Sequence, residues 1–159
     1  MPSSYLYALL EDMRYLKSLG KIEGIYSCPS YSMYGDGIIA YLLRCLMWDC
    51  DVTDEEYEEM IREYCNIMYG NGGKYIYEFL QFKEAANYEG CWSNFLFSGP
   101  HQRINFNMYG ENVDYVTELF DSAMKYADTE LQAVRAETLS LSAYFIMSVV
   151  LYEDEYTNG

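Results

Sequence analysis

Thr53-Asp-Glu-Glu56 places a hydroxyl at a cap position and a carboxylate three residues on. That pairing satisfies two amide donors at once, and it marks the start of a helix. Behind it Tyr57, Met60, Ile61, Tyr64 and Met68 recur at three- and four-residue steps, and Gly70 supplies the stop. A chain with this element in its middle must bury one long helical stripe, so a helical fold follows unless other segments outvote it.

Most segments agree. Leu6, Leu9, Leu10, Met13 and Leu16 predict an amphipathic helix ended by Gly20. Ile38 to Trp48 reads as a strongly apolar helix covered on two sides. A further helix runs from Gly73 to about Ala86, with Ile76, Phe79 and Leu80 inward. Val113, Val116, Phe120, Ala123 and Ala127 mark another. Thr129-Glu-Leu-Gln132 is a second capping box, opening a last helix through about Tyr152. The short break between these two predicts an antiparallel hairpin. Within the last helix, Leu139 to Leu151 falls short of the ~20 residues of a membrane span and carries Ser140, Ser142 and Ser148, so it reads as a buried helix.

The dissenting segment is Ile22 to Tyr26, short, partly β-branched or aromatic, and bounded by Gly and Pro. It reads as a strand feeding a loop, Ser27 to Gly37, and then a helix. Asn87 to Gly110 shows no clear period and reads as a long aromatic loop. The fold class is therefore mostly α: a helical C-terminal bundle over 53–159, preceded by a strand–helix portion over 1–52.

Charge and cysteine usage exclude several functions. The net charge of −15 arises from 25 acids against 10 bases. Such a surface repels phosphate backbones and anionic lipid, so neither nucleic acid nor membrane is expected as a partner. Eight acids crowd between Asp49 and Glu63, where they read as a solvated face complementing a helix dipole. They lack the central Gly and alternating ligands of a calcium loop. Cys28, Cys45, Cys50, Cys65 and Cys91 form no Cys-x-x-Cys pair and His101 is the one histidine, so no metal or other cofactor is expected. Free thiols and the lack of a basic, then apolar, N-terminal stretch suit a reducing, cytoplasmic setting. The 19 tyrosines suit helical cores and wet interfaces alike.

No catalytic constellation emerges. Glu23, Asp36 and Glu89 are the acids nearest the loops, but Glu23 precedes the strand and Asp36 is an ordinary helix cap. A Cys91–His101 pair for thiol hydrolysis is a weaker reading, because a lone loop histidine is most often a surface group.

Gly24-Ile-Tyr-Ser, Tyr41-Leu-Leu-Arg-Cys-Leu-Met-Trp-Asp-Cys-Asp51 and Tyr64-Cys-Asn-Ile-Met-Tyr-Gly70 together resemble a bacterial family of large glycoside-hydrolase-like proteins. That family is catalogued as domain of unknown function 4838 and is distantly similar to α-glucuronidases and β-hexosaminidases. Tyr41, Leu42, Leu46, Trp48, Asp49 and Asp51 carry its helix motif; Met68, Tyr69 and Gly70 carry its helix end, with Met where Tyr is common. The resemblance implies the last strand–helix units of a (β/α)₈ barrel with helices beyond, in a carbohydrate-active protein. The family's catalytic acids lie on earlier strands, absent here, so none is carried over. Tyr26, Ser27, Tyr31 and Tyr34 would be the loop a sugar touches in an intact barrel, and the Trp48–Asp49 corner would lock the terminal barrel helix to the helices after it.

Two functions are thus expected. One is a C-terminal fragment of a glycoside-hydrolase-like protein, not catalytic alone, which would meet a barrel partner or self-associate through its open strand edge. The other is a self-standing acidic helical module that binds a protein.

Overall fold

In the computed structural model, residues 6–21, 37–88 and 106–157 are described. They form α1 (Ala8–Ser18), α2 (Gly37–Trp48), α3 (Asp54–Tyr69), a single 3₁₀ turn (Gly70–Gly72), α4 (Gly73–Tyr88), α5 (Phe106–Glu111), α6 (Val113–Lys125) and α7 (Glu130–Thr157). No strand occurs among the described residues, and the expected strand at 22–26 lies outside them.

Four helices close a ring: α3 packs on α4, α4 on α6, α6 on α7 and α7 back on α3. Helix α2 packs on both α1 and α3, and α5 lies against α7. One buried cluster runs from Leu6, Leu10 and Met13 through Ile38, Leu42 and Leu46 into the four-helix centre, crossing position 52 without interruption.

The centre is aromatic. Phe79 and Phe120 meet at 4.6 Å between ring centroids, and Phe120 continues to Tyr144 at 6.2 Å. Such tilted and edge contacts add roughly 0.5–1.5 kcal/mol each beyond area burial. On α3 the buried residues are Tyr57, Ile61, Cys65 and Tyr69, one every fourth position. The expected partners Met60, Tyr64 and Met68 flank that row, half-buried.

Both capping boxes form. The Thr53 hydroxyl accepts from the Glu56 amide at 3.1 Å, and the Glu56 carboxylate accepts from the Thr53 amide at 2.7 Å. Thr129 and Gln132 repeat the exchange at 3.3 and 3.1 Å. The expected hairpin of α6 and α7 is present.

Two corners interlock. Gly70 has φ +61° and turns the chain out of α3. The Asp128 carboxylate, from the α6–α7 corner, accepts from the Asn71 amide at 3.1 Å and from the Asn71 side chain. Gln132 and Arg135 of α7 donate to the carbonyls of Ile67 and Met68 at 3.5 and 3.3 Å, capping the end of α3. Beneath them Gly72 sits so close to α6 that a Cβ there would collide with the Ala123 carbonyl oxygen.

Two expectations give way. The short helix α5 stands where no periodicity was legible, because six residues span too few turns to show one. Helix α7 is not buried on all sides: Ala136, Leu139, Ser140, Ala143, Ile146 and Met147 face the core, while Leu141 and Phe145 face solvent. Its serines cost little, since Ser140, Ser142 and Ser148 each donate to the carbonyl three residues earlier.

Burial makes the fold sensitive to alkali. It pushes the Tyr57, Tyr69 and Tyr109 hydroxyls well above their ordinary range and the Cys65 thiol up to about 12. The unfolded chain ionises these groups near 9.0 (Cys) and 10.0 (Tyr), so above those values it binds fewer protons than the folded chain. Stability is therefore fully present below pH ~9 and falls as pH rises. Melting at successive pH values should show a plateau near neutrality and a steady decline above pH ~9, with Cys65→Ala delaying the onset to about pH 10. Gly72→Ala should lower stability by about 2–3 kcal/mol in a denaturant titration, because only backbone stands in the way of its Cβ.

Candidate functional site

Where α2, α3, α4 and α7 converge, they leave a cleft of about 380 Å³ lined by Gly37, Ile38, Tyr64, Met68, Tyr69, Ile76, Leu80, Val134, Arg135, Thr138 and Leu139. The lining is mostly apolar, and Arg135 is the one charged residue in it among the described residues. The four-residue spacing of Tyr57, Ile61, Cys65 and Tyr69 brings Tyr69 inward at the end of α3, leaving its side chain 7% exposed. Among the described residues the Tyr69 hydroxyl has no hydrogen-bond partner. Burial raises the pKa of Tyr64 and of Tyr69, and the nearby Arg135 charge pulls both the other way.

Beside the cleft runs the outer side of α7. Leu131, Val134, Leu141 and Phe145 are 47–59% exposed and follow one another at three-, seven- and four-residue steps, with half-buried Thr138 between. At about 100° per residue this row lies opposite Ala136, Ser140, Ala143 and Met147, so α7 carries one apolar stripe inward and another outward. Val134 and Thr138 belong both to the outer row and to the lip of the cleft. Glu130 and Glu137 are exposed along one side of the row.

No protein-family model, curated protein or solved structure matches the chain.

The residues singled out from sequence have separate fates. Tyr26, Ser27, Tyr31 and Tyr34 lie outside the described residues, as do Glu23, Asp36, Glu89, Cys28, Cys91 and His101. Tyr41 packs its ring on Tyr64 at 5.4 Å, joining α2 to α3; burial, with the nearby Cys45 and Glu63, raises its pKa. Asp49 accepts from the Asp51 amide at 2.9 Å, a local turn, and Asp51 pairs with Lys17 of α1. Tyr69 and Gly70 form the interlocked corner.

The Trp48 expectation needs correction. The residue is 93% exposed and locks nothing; the entry to α3 is tied instead to α1, by Arg14. That guanidinium donates to the Val52 carbonyl at 2.5 Å and to Asp54 at 2.7 Å, reaching across from α1. The sequence signal for this contact was present, bases late in α1 and acids before α3, but no local pattern pairs segments so far apart.

A second polar cluster ties α1, α3 and α4. Glu58 accepts from the Tyr7 hydroxyl at 2.9 Å, from Tyr77, and from Arg62 at 3.3 Å, while the Arg62 guanidinium also lies 4.0 Å from the Tyr77 ring centroid. Glu58 is the shared acceptor there, so the cluster reads as a surface tie. Among the described residues no group of three or more His, Cys, Asp or Glu side chains is arranged to hold a metal ion, and no helix is long and apolar enough to cross a membrane. Trp48→Ser should change stability by less than about 0.5 kcal/mol, whereas Gly70→Ala should cost roughly 2 kcal/mol or more, since its Cβ would run into the Asp128 carboxylate in a left-handed conformation. Paired denaturant melts check both.

Proposed function

We propose that this chain is an acidic helical interaction module whose outer α7 face receives an amphipathic helix with basic flanks. One observation carries this reading: Leu131, Val134, Leu141 and Phe145 form an outward apolar row diametrically opposite the core-facing row. The row spans about 21 Å along the helix, close to the length of a two-heptad seam. A helix laid along it would place anchors at matching three- and four-residue steps. The net charge of −15 and the neighbouring Glu130 and Glu137 favour lysine and arginine beside that seam. The same charge disfavours a second copy, since each copy repels the other.

The carbohydrate-active reading stands second. It rests on the family resemblance and on Tyr26, Ser27, Tyr31 and Tyr34, outside the described residues. The described feature that favours it is the open indole of Trp48, a flat apolar face suited to stacking on a sugar ring. Emission from Trp48 that responds to a gluco-oligosaccharide in the full chain, and not in Trp48→Ala, would support it; no response at millimolar sugar would contradict it.

For the leading reading, the probe is a 21-residue peptide with Leu at its seam positions and Lys at the flanks. Fluorescence anisotropy should give micromolar affinity that weakens with added salt. Leu141→Asp/Phe145→Asp should weaken it at least ~10-fold while melting like the parent chain, because both positions are surface-exposed. Equal affinity for that variant would overturn the reading. So would equal affinity for a peptide with Glu flanks, or sedimentation showing a stable dimer that the variant abolishes.

A further inference from the structure

The cleft between α2, α3, α4 and α7 has a chemistry distinct from the outer row beside it. Its walls are Ile38, Met68, Ile76, Leu80 and Leu139, and its polar groups converge from two helices. Tyr64 and Tyr69 bring hydroxyls from α3. Arg135 brings a guanidinium from α7, close enough to influence the ionisation of both hydroxyls.

These groups donate. A guanidinium has no acceptor, and a protonated phenol donates its one proton. Arg135 uses Nη1 on the Met68 carbonyl at 3.3 Å, which engages one of its five N–H groups. Thr138 is already turned inward on its own helix, donating to the Val134 carbonyl at 2.7 Å. Among the described residues no carboxylate lines the cleft to neutralise Arg135.

The Tyr69 hydroxyl is the sharpest anomaly. A buried hydroxyl without a partner costs roughly 1–3 kcal/mol, and native structures hold few of them. It stands at the edge of a space large enough for a small ligand. The missing partner is an acceptor, the missing charge is negative, and the remaining walls are aliphatic.

We infer that this cleft binds a small amphipathic carboxylate, its head group between Arg135 and the Tyr64 and Tyr69 hydroxyls and its apolar body against Ile38, Ile76, Leu80 and Leu139. A planar fork on a carboxylate is the strongest pairing available to a lone arginine. The aliphatic walls favour a medium-length hydrocarbon tail over a sugar or an amino acid. This site does not depend on the docking face of α7, although Val134 and Thr138 border both.

Calorimetric titration of the full chain with octanoate tests it, with 1-octanol as the neutral control. Octanoate should bind saturably, and octanol at least ~10-fold more weakly, the factor that one charge-assisted pairing supplies. Tyr69→Phe should weaken octanoate about 5–10-fold while melting no lower than the parent, because it deletes only the orphaned hydroxyl. Arg135→Gln should weaken it ~30-fold or more. Leu141→Asp/Phe145→Asp should leave octanoate affinity unchanged, which separates this site from the docking face. The inference is overturned by no saturable heat with octanoate, by equal affinity for octanol, by parent-like affinity in Tyr69→Phe, or by loss of octanoate binding in the outer-face variant.

Discussion

The fold depends on how closely the α3–α4 corner approaches α6. Gly72 lies against the Ala123 carbonyl with no room for a side chain, and this contact sets how far apart the two hairpins stand. Everything that joins them is short-ranged: Asp128 on Asn71, Gln132 and Arg135 on the last carbonyls of α3, and Phe79 on Phe120. A displacement of one methyl group at Gly72 would loosen all of these at once, because close-packed interiors have little slack. The corner residues thereby do two jobs. They end α3, and they place Tyr69 and Arg135 beside the same cleft.

Electrostatics act outside that frame. The acids ahead of and within the first turn of α3 find the helix N-terminus and, across the surface, Arg14 and Lys17 of α1. Exposed pairs of this kind contribute modestly, typically below about 1 kcal/mol, and they orient α1 more than they hold it. The firmer tie is buried: the Tyr57 hydroxyl donates to the Leu6 carbonyl at 2.5 Å. The large excess of acid is left for the surface, in keeping with the acidic docking module proposed above.

What could be read from the sequence was local. Both capping boxes, the stop at Gly70 and the α6–α7 hairpin follow from spacing within a dozen residues, and each appears as expected. Trp48 and α7 were misread for a common reason. An apolar side chain announces affinity for any cover, and sequence alone cannot distinguish cover by this chain from cover by something else. Leu141 and Phe145 therefore looked like core, and Trp48 looked like a lock. The cleft was illegible because it joins Tyr64 and Tyr69 to Arg135 across more than sixty positions. Tyr69 and Gly70 were singled out as a family-like helix end, and their role in shaping that cleft emerges only when α7 is set beside them.

If the interlocked corners make α3, α4, α6 and α7 one cooperative unit, native-state hydrogen exchange measures it directly. Amides in the buried stretches around Ile61, Phe79, Phe120 and Ala143 should exchange through a single shared opening equal to global unfolding, while α1, α2 and α5 open at lower free energy. Two separate opening energies, one for α3 with α4 and another for α6 with α7, would contradict the account.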